Sequence, residues 1–336
     1  MVPSASPAVE VRGLCKQFRV ARREAGLGAA LRALVRREYT QVDAVKQLSF
    51  VLGAGERVGF LGPNGAGKTT TLKMLSGLLY PSSGELRVMG HVPAERRSEF
   101  LRTISLVMGQ KRQLSWDLPA VDTFEFNRVV FDIDAGDYRR RLDELVSLLA
   151  VGEVMRRPVR QLSLGERMKC ELVAALLHAP QILFLDEPTI GMDVAMQLSI
   201  REFVRRYNVE HGATVILTSH YMEDVAALCP RILVIDGGQL RFDGSIEALT
   251  RRIRPLRRTS VGADEYPPAE QLAELGHVVE RGAGRLVLDV EPERVPAVVQ
   301  VLLALPGARE LVVQDAPLEE VMRELFRREA GAERGA

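Results

Sequence analysis

Apolar positions change period several times along the chain, and each change marks an element. From Ala8 to Leu14 apolar and polar residues alternate (AVEVRGL), the period-two mark of a strand with one buried face. Leu48–Leu52 and Glu56–Leu61 also read as strands, and a helical pattern comes next over Thr71–Leu79. The turn PSSG, Pro81–Gly84, leads into a strand at Glu85–Val88 and a second turn at Gly90. Ile104–Val107 is another short apolar strand, ending at Gly109 and Gln110. Beyond it the spacing turns helical, notably over Tyr138–Ala150, where Leu142, Leu145, Val146 and Leu149 line one face. A further helix is expected after LSLGERM (Leu162–Met168), running to about His178. Ile182–Glu187 (ILFLDE) is a continuous apolar run ending in two carboxylates, as expected of a strand buried on both faces of a parallel sheet. A helix over Val194–Glu210 and a strand over Thr214–Thr218 succeed it. Strands at Ile232–Ile235 and Gln239–Phe242 then meet across Gly237 and Gly238. Strands alternating with helices predict an α/β fold whose sheet is mainly parallel, with ligands at the carboxyl ends of its strands.

Two stretches break this rhythm. Arg19–Gln41 interrupts the strand pattern with Leu27, Leu31, Leu34 and Val35 at helical spacing. Arg19, Arg22, Arg23, Arg32, Arg36 and Arg37 stand there against Glu24 and Glu38. Such a basic amphipathic helix lies at the headgroup level of a membrane, packs on a partner helix, or packs on its own domain with a solvated basic face. Arg251–Arg258 carries five arginines and Pro255 and reads as a linker. After it a strand at Arg285–Val290, a helix at Val295–Ala304, a strand at Glu310–Val313 and a closing helix at Pro317–Arg327 make a small α+β tail without a chemical motif. The expected division is a main domain at 1–250, a linker at 251–260 and an accessory domain at 261–336, in keeping with 336 residues exceeding what one core usually supports.

Composition narrows the class only a little. Hydrophobic content of 46% and charged content of 26% are those of an ordinary globular protein, and a net charge of +1 gives no overall pull toward nucleic acid. Cys15, Cys170 and Cys229 are too far apart for metal-ligand spacing and, without a signal peptide, read as free thiols in a reducing cytosol. The other histidines, His91, His178, His211 and His277, show no ligand spacing either. No apolar run approaches the roughly 20 residues that span a bilayer, so any membrane role would run through partner chains. Only six of 45 basic residues are lysine, and Lys68 is one of them, which suits a point charge on phosphate.

The chemistry concentrates at Gly62–Thr70, GPNGAGKTT. Gly62, four residues, then Gly67, Lys68 and Thr69 is the P-loop pattern, in its required place between a strand and a helix. Gly62, Pro63, Asn64, Gly65, Ala66, Gly67 and Thr70 supply the turn whose backbone N–H groups face an anion, and Lys68 adds a full charge. Thr69 offers a hydroxyl to Mg²⁺. Asp186 and Glu187 end a buried strand that should lie beside the P-loop strand, Asp186 to hold Mg²⁺ and Glu187 to face a water attacking the γ-phosphate. His220, at the end of the next long strand, can reach the same crevice, although a lone histidine is usually structural. Phe18 either stacks on an adenine ring or is an ordinary core aromatic. The expected ligands are a nucleoside triphosphate and Mg²⁺.

Together these residues resemble the ATP-binding subunits of ABC transporters, over about Val9–Leu249, and the resemblance makes the expected nucleotide ATP. The most specific element, LSLGE at Leu162–Glu166, looks like the family signature LSGGQ; Leu164 replaces a glycine and Glu166 a glutamine. The resemblance implies an ABC-type P-loop ATPase fold: a mainly parallel core sheet, an antiparallel β subdomain and a helical subdomain at about 111–178. It implies that Ser163, Gly165 and Glu166 form a second anion site, one that closes on the nucleotide of another subunit. Gln110 resembles the glutamine that contacts Mg²⁺ and water and signals to the membrane partner; Gln113 fits the spacing to Leu118 less well. Asp193 resembles the interface aspartate, His220 the switch histidine, Glu187 the general base and Phe18 the adenine-stacking aromatic. The phrase DEPTIGMD is similar to stand-alone subunits of ABC-2 type exporters. The insertion at 19–41 is similar to an extra helix of polysaccharide-exporter ATPases, and the tail to regulatory or dimer-stabilising tails.

The implied partners are integral-membrane permease subunits and a second copy in a head-to-tail dimer, at the cytoplasmic face of the membrane. No nucleic acid is expected. Trp116 lies where such subunits meet the permease, or else anchors the helical insertion. An alternative is a soluble ABC-type ATPase acting on ribosomes or DNA; against it, the chain has no second P-loop and no long coiled coil. A P-loop kinase or GTPase would leave the signature and His220 without a task.

Overall fold

The computed structural model describes residues 7–21, 39–111, 113–219, 221–282 and 284–334. The chain divides into two compact units, Met1–Asp243 and Gly244–Ala336.

In the first unit β1 (Val9–Ala21) and β2 (Tyr39–Leu52) form a long antiparallel hairpin, from Val9 opposite Leu52 to Ala21 opposite Tyr39. The strand expected to stop at Leu14 therefore runs on, and Arg19–Ala21 and Tyr39–Gln41 are strand rather than the ends of a helical insertion. The first five residues of β2 are exposed, and so are Gln17, Arg19 and Val20, so no alternation reveals the pairing there. The helix expected around Leu27–Arg37 lies outside the described residues. β3 (Arg57–Leu61) enters the core, and β4 (Ser83–Val88) joins β1 to complete a three-stranded antiparallel sheet, order β2-β1-β4.

The core sheet adds β5 (Ile104–Met108), β6 (Ile182–Asp186), β7 (Thr214–Thr218), β8 (Arg231–Asp236) and β9 (Gln239–Gly244), in the order β5-β6-β7-β3-β8-β9. The ladders linking β5, β6, β7, β3 and β8 are parallel, as their unbroken apolar runs require: every residue of β7 is buried. β6 was expected to neighbour β3 but does not; β7 lies between them. Register aligns the strand ends, because Met108 pairs with Asp186, Asp186 with Thr218 and Phe60 with Thr218. The chain therefore leaves all four strands at the same edge of the sheet.

An apolar cluster joins the antiparallel sheet to the core sheet through the helix Lys68–Leu75. It takes in Leu14, Leu48 and Phe50 with Phe60, Leu72, Leu75 and Phe184. Phe50 meets Phe60 edge-on, centroids 5.6 Å apart at 89°. Each such side chain contributes roughly 1.5–3 kcal/mol by leaving water. Between β5 and β6 the chain forms the helices Ala120–Val130, Ala135–Leu149 and Leu164–Leu176, the expected helical subdomain.

In the second unit β10 (Arg257–Gly262), β11 (His277–Gly282), β12 (Arg285–Val290) and β13 (Arg309–Asp315) make an antiparallel sheet in the order β11-β12-β10-β13. Helices Ala269–Leu275 and Val295–Leu303 join its core through Leu272, Val298 and Leu302. The expected linker at 251–260 is a correction: it is the end of the helix Ile246–Ile253 and most of β10. Arg254, Arg257 and Arg258 are tied down by distant acids. Arg258 reaches Asp289 at 3.0 Å and Glu320 at 2.6 Å, and Arg257 reaches Asp315 at 2.7 Å. The unit thus begins near Gly244 rather than at 261. No described helix is long and apolar enough to cross a membrane.

Candidate functional site

The loop Gly62–Gly67 leaves β3 and opens the helix Lys68–Leu75. Gly67 is its N-cap, at φ 103, and a Cβ there would come within 2.5 Å of the Ala44 carbonyl on β2. Only glycine meets both demands. Pro63, Asn64 and Gly65 are exposed, Gly62, Thr69 and Thr70 half-buried, and Ala66, Gly67 and Lys68 buried. A Cβ on Gly65 would meet nothing within 4 Å, so the loop is open there.

Lys68 folds back over this loop, its Nζ donating to Gly62 O at 2.6 Å and Pro63 O at 3.0 Å. Burial lowers its pKa, while the carboxylates of Glu187 and Asp186 pull the other way. The ammonium is therefore within electrostatic reach of Asp186 at the end of β6 and of Glu187 directly after it, even though β7 intervenes in the sheet.

Asp186 gathers hydroxyls. Thr69 Oγ1 lies 3.1 and 3.0 Å from its two carboxylate oxygens, and Thr218 Oγ1 donates to Oδ1 at 2.6 Å. A carboxylate and a helix-start hydroxyl in contact form an oxygen set of the kind a hard divalent cation takes. Glu187 turns out of the strand at φ 54, and its N–H is held by Thr218 O at 3.0 Å and Thr218 Oγ1 at 3.1 Å. Its Oε2 accepts from Gln110 Nε2 at 2.9 Å. Gln113 instead bonds Leu106 O, so Gln110 is the glutamine that meets the acid.

Two residues here were not singled out by sequence reasoning. Thr218 bridges Asp186 and Glu187; its only signal was a hydroxyl at the end of an apolar run. Gly109 packs so tightly that a Cβ would stand 2.0 Å from Glu187 O, while its own N–H bonds Asp186 O at 2.9 Å. Nothing local reveals that approach, which joins segments 78 positions apart.

The signature residues gather at a second place. Ser163 caps the helix Leu164–Leu176: its Oγ accepts from Glu166 N at 3.2 Å, and Glu166 Oε2 accepts from Ser163 N at 2.8 Å. The charge that replaces the family glutamine is thus engaged with backbone, and the Ser163 N–H holds the Glu166 carboxyl below its usual range. Gly165 lies against Met196, 2.6 Å from where its Cβ would be, and Leu164 against Gly191. Asp193 caps the helix Val194–His211 through Met196 N at 2.9 Å. Phe18 is half-buried on β1, opposite Val42, with Lys16 Nζ 5.2 Å from its ring centroid. His220 lies outside the described residues.

The ABC transporter family model matches residues 45–190. The linearmycin resistance ATP-binding protein LnrL of Bacillus subtilis is 36% identical, over 65% of this chain and 70% of that protein. The Nod factor export ATP-binding protein I of Ralstonia nicotianae is 32% identical over 88% of this chain and 92% of its own. Among solved structures, an ATP-binding subunit of an ABC transporter superposes with a TM-score of 0.61 at 22% identity, over 73% of this chain and 92% of that one. A dimeric ATP-binding cassette in a post-hydrolysis state with ADP and Pi gives 0.59 at 22%, over 70% and 98%. With its P-loop, paired acids and signature helix in place, the chain belongs to the ABC transporter family as one of its ATP-binding, ATP-hydrolysing proteins.

Proposed function

We propose that this ATPase works at a site shared by two copies of the chain, and that its closure drives export by separate membrane subunits at the cytoplasmic face of the membrane. The observation that carries this reading is the contact of Asp186 with the Thr69 hydroxyl, 3.0 Å, directly before Glu187. ATP phosphates would displace the Gly62 and Pro63 carbonyls from Lys68 and take the loop N–H groups. Thr69 and Asp186 would hold Mg²⁺, with Gln110 at its edge; the ion supplies positive charge to the phosphate oxygens. Glu187 orients and deprotonates the attacking water, and Gln110 holds its carboxylate. The Ser163 O–H, which faces the Glu166 carboxylate in this structure, would turn to donate to the partner's γ-phosphate, since capping uses only an acceptor lone pair. The role of adenine-stacking aromatic falls to Phe18.

Export is the activity named in the Nod factor relative, and drug resistance in a 34%-identical daunorubicin/doxorubicin resistance ATP-binding protein of Streptomyces peucetius. A docking surface for membrane subunits is supported by the segment after Gln110, where Trp116, Leu118, Phe126, Val129 and Val130 are exposed. The test is Glu187→Gln in the purified chain. Hydrolysis should fall by about 10²–10⁴-fold, as for loss of a general base, with ATP still bound and a dimer trapped in light scattering. Normal turnover would end the base assignment, and a variant that stays monomeric in saturating Mg-ATP would end the shared site.

A further inference from the structure

Behind the site lies a buried carboxylate that plays no part in binding nucleotide or activating water. Asp224, in the first turn of the helix Met222–Leu228, is 1% exposed and accepts from three side chains. Arg201 Nε reaches its Oδ1 at 2.5 Å, Ser219 Oγ reaches Oδ2 at 2.8 Å, and Thr189 Oγ1 also donates to Oδ2. Thr189 and Ser219 are themselves 2% and 4% exposed.

The three donors come from three segments around the reaction centre. Thr189 sits on the turn that leaves Glu187, where Ile190 N bonds Glu187 O at 3.3 Å. Ser219 directly succeeds Thr218, whose carbonyl and hydroxyl hold the Glu187 N–H, and directly precedes His220 in the chain. Its Oγ also accepts from Tyr221 N at 3.0 Å. Arg201 belongs to the helix that Asp193 opens. A buried ion pair adds little stability over an apolar filling of the same shape, so stability alone is a poor account of this cluster. A carboxylate that accepts from fixed donors on three segments does something an apolar side chain cannot: it sets their spacing.

We infer that Asp224 is a positioning residue for hydrolysis, holding the Glu187 turn in register with the exit of β7 and with the Asp193 helix. It touches neither nucleotide nor water, and it acts through Thr189 and Ser219 on where the Glu187 carboxylate stands. The inference rests on Glu187 being the base. Its signature is a loss in kcat without a matching change in KM for ATP, since the P-loop contacts are left alone.

Thr189→Val and Ser219→Ala each remove one hydroxyl while leaving the Asp224–Arg201 pair intact, so they test the role without stranding a buried charge. In the full chain each should lower kcat about tenfold, and the double variant further, with KM within about twofold and an unchanged melting temperature. Thr189→Ser, which keeps the hydroxyl, should restore most of kcat. Asp224→Asn should fall at least as far as the double variant. Wild-type kcat in both single variants and the double overturns the role, as does a loss that only tracks a falling melting temperature. Glu187→Gln is run beside them. Its normal turnover overturns the base assignment, whereas its inactivity beside unaffected hydroxyl variants overturns the role of Asp224 alone.

Discussion

Gly109 shows how narrowly the site is tuned at single positions. A methyl group there would meet the Glu187 carbonyl at 2.0 Å, so Gly109→Ala must push apart the exits of β5 and β6. The expected outcome is a destabilisation of about 1–3 kcal/mol, as for overpacking, with a loss of kcat larger than the lost folded fraction explains. Denaturant melts and steady-state kinetics on the same preparation would read both. Lys68→Ala acts differently: without the ammonium folded over the loop, ATP affinity itself should fall, by roughly tenfold or more in equilibrium titration. The P-loop, Asp186, Glu187 and Gln110 were legible because each lies in or next to a local motif at a strand end. Thr218 and Gly109 were not, because their importance arises from register between strands far apart in sequence.

Among elements, the start of the helix Leu164–Leu176 is the most instructive. Glu166 departs from the family glutamine, yet its carboxylate completes a capping box with Ser163. Glu166→Ala should therefore cost about 0.5–2 kcal/mol of stability, while Glu166→Gln, which can make the same bond, should cost much less. Thermal melts at neutral pH would separate them. The pH dependence has a definite sign: the bond to Ser163 N–H depresses the folded-state pKa of Glu166. Its stabilisation is present above the unfolded value of about 4.3 and is lost as pH falls through the lower folded value. Glu166→Gln should lack that acid-side loss. The apolar strands of the core sheet were readable one by one, since burial on both faces leaves an unbroken run. The outer half of the β1–β2 hairpin was not readable, since exposed strand residues carry no alternation.

For the molecule as a whole, the surprise lies in the second unit. Its leading arginines read as a solvated linker because their partners, Asp289, Asp315 and Glu320, come 31 or more positions later. Arg258 is 8% exposed and Asp289 3%, so Asp289→Ala would leave a buried guanidinium without one of its two acids. We expect about 3–5 kcal/mol of destabilisation in that unit, seen as lost hydrogen-exchange protection across β10 and β12. In the first unit the placing of β7 carries further. Two strand spacings, roughly 10 Å, separate the backbones of β6 and β3, and it is the loop after β3 and the start of the helix Lys68–Leu75 that carry Thr69 across that width to meet Asp186. The room offered to a triphosphate and its counter-ion is thus framed from two sides, by the sheet that fixes Asp186 and by the helix start that fixes Thr69.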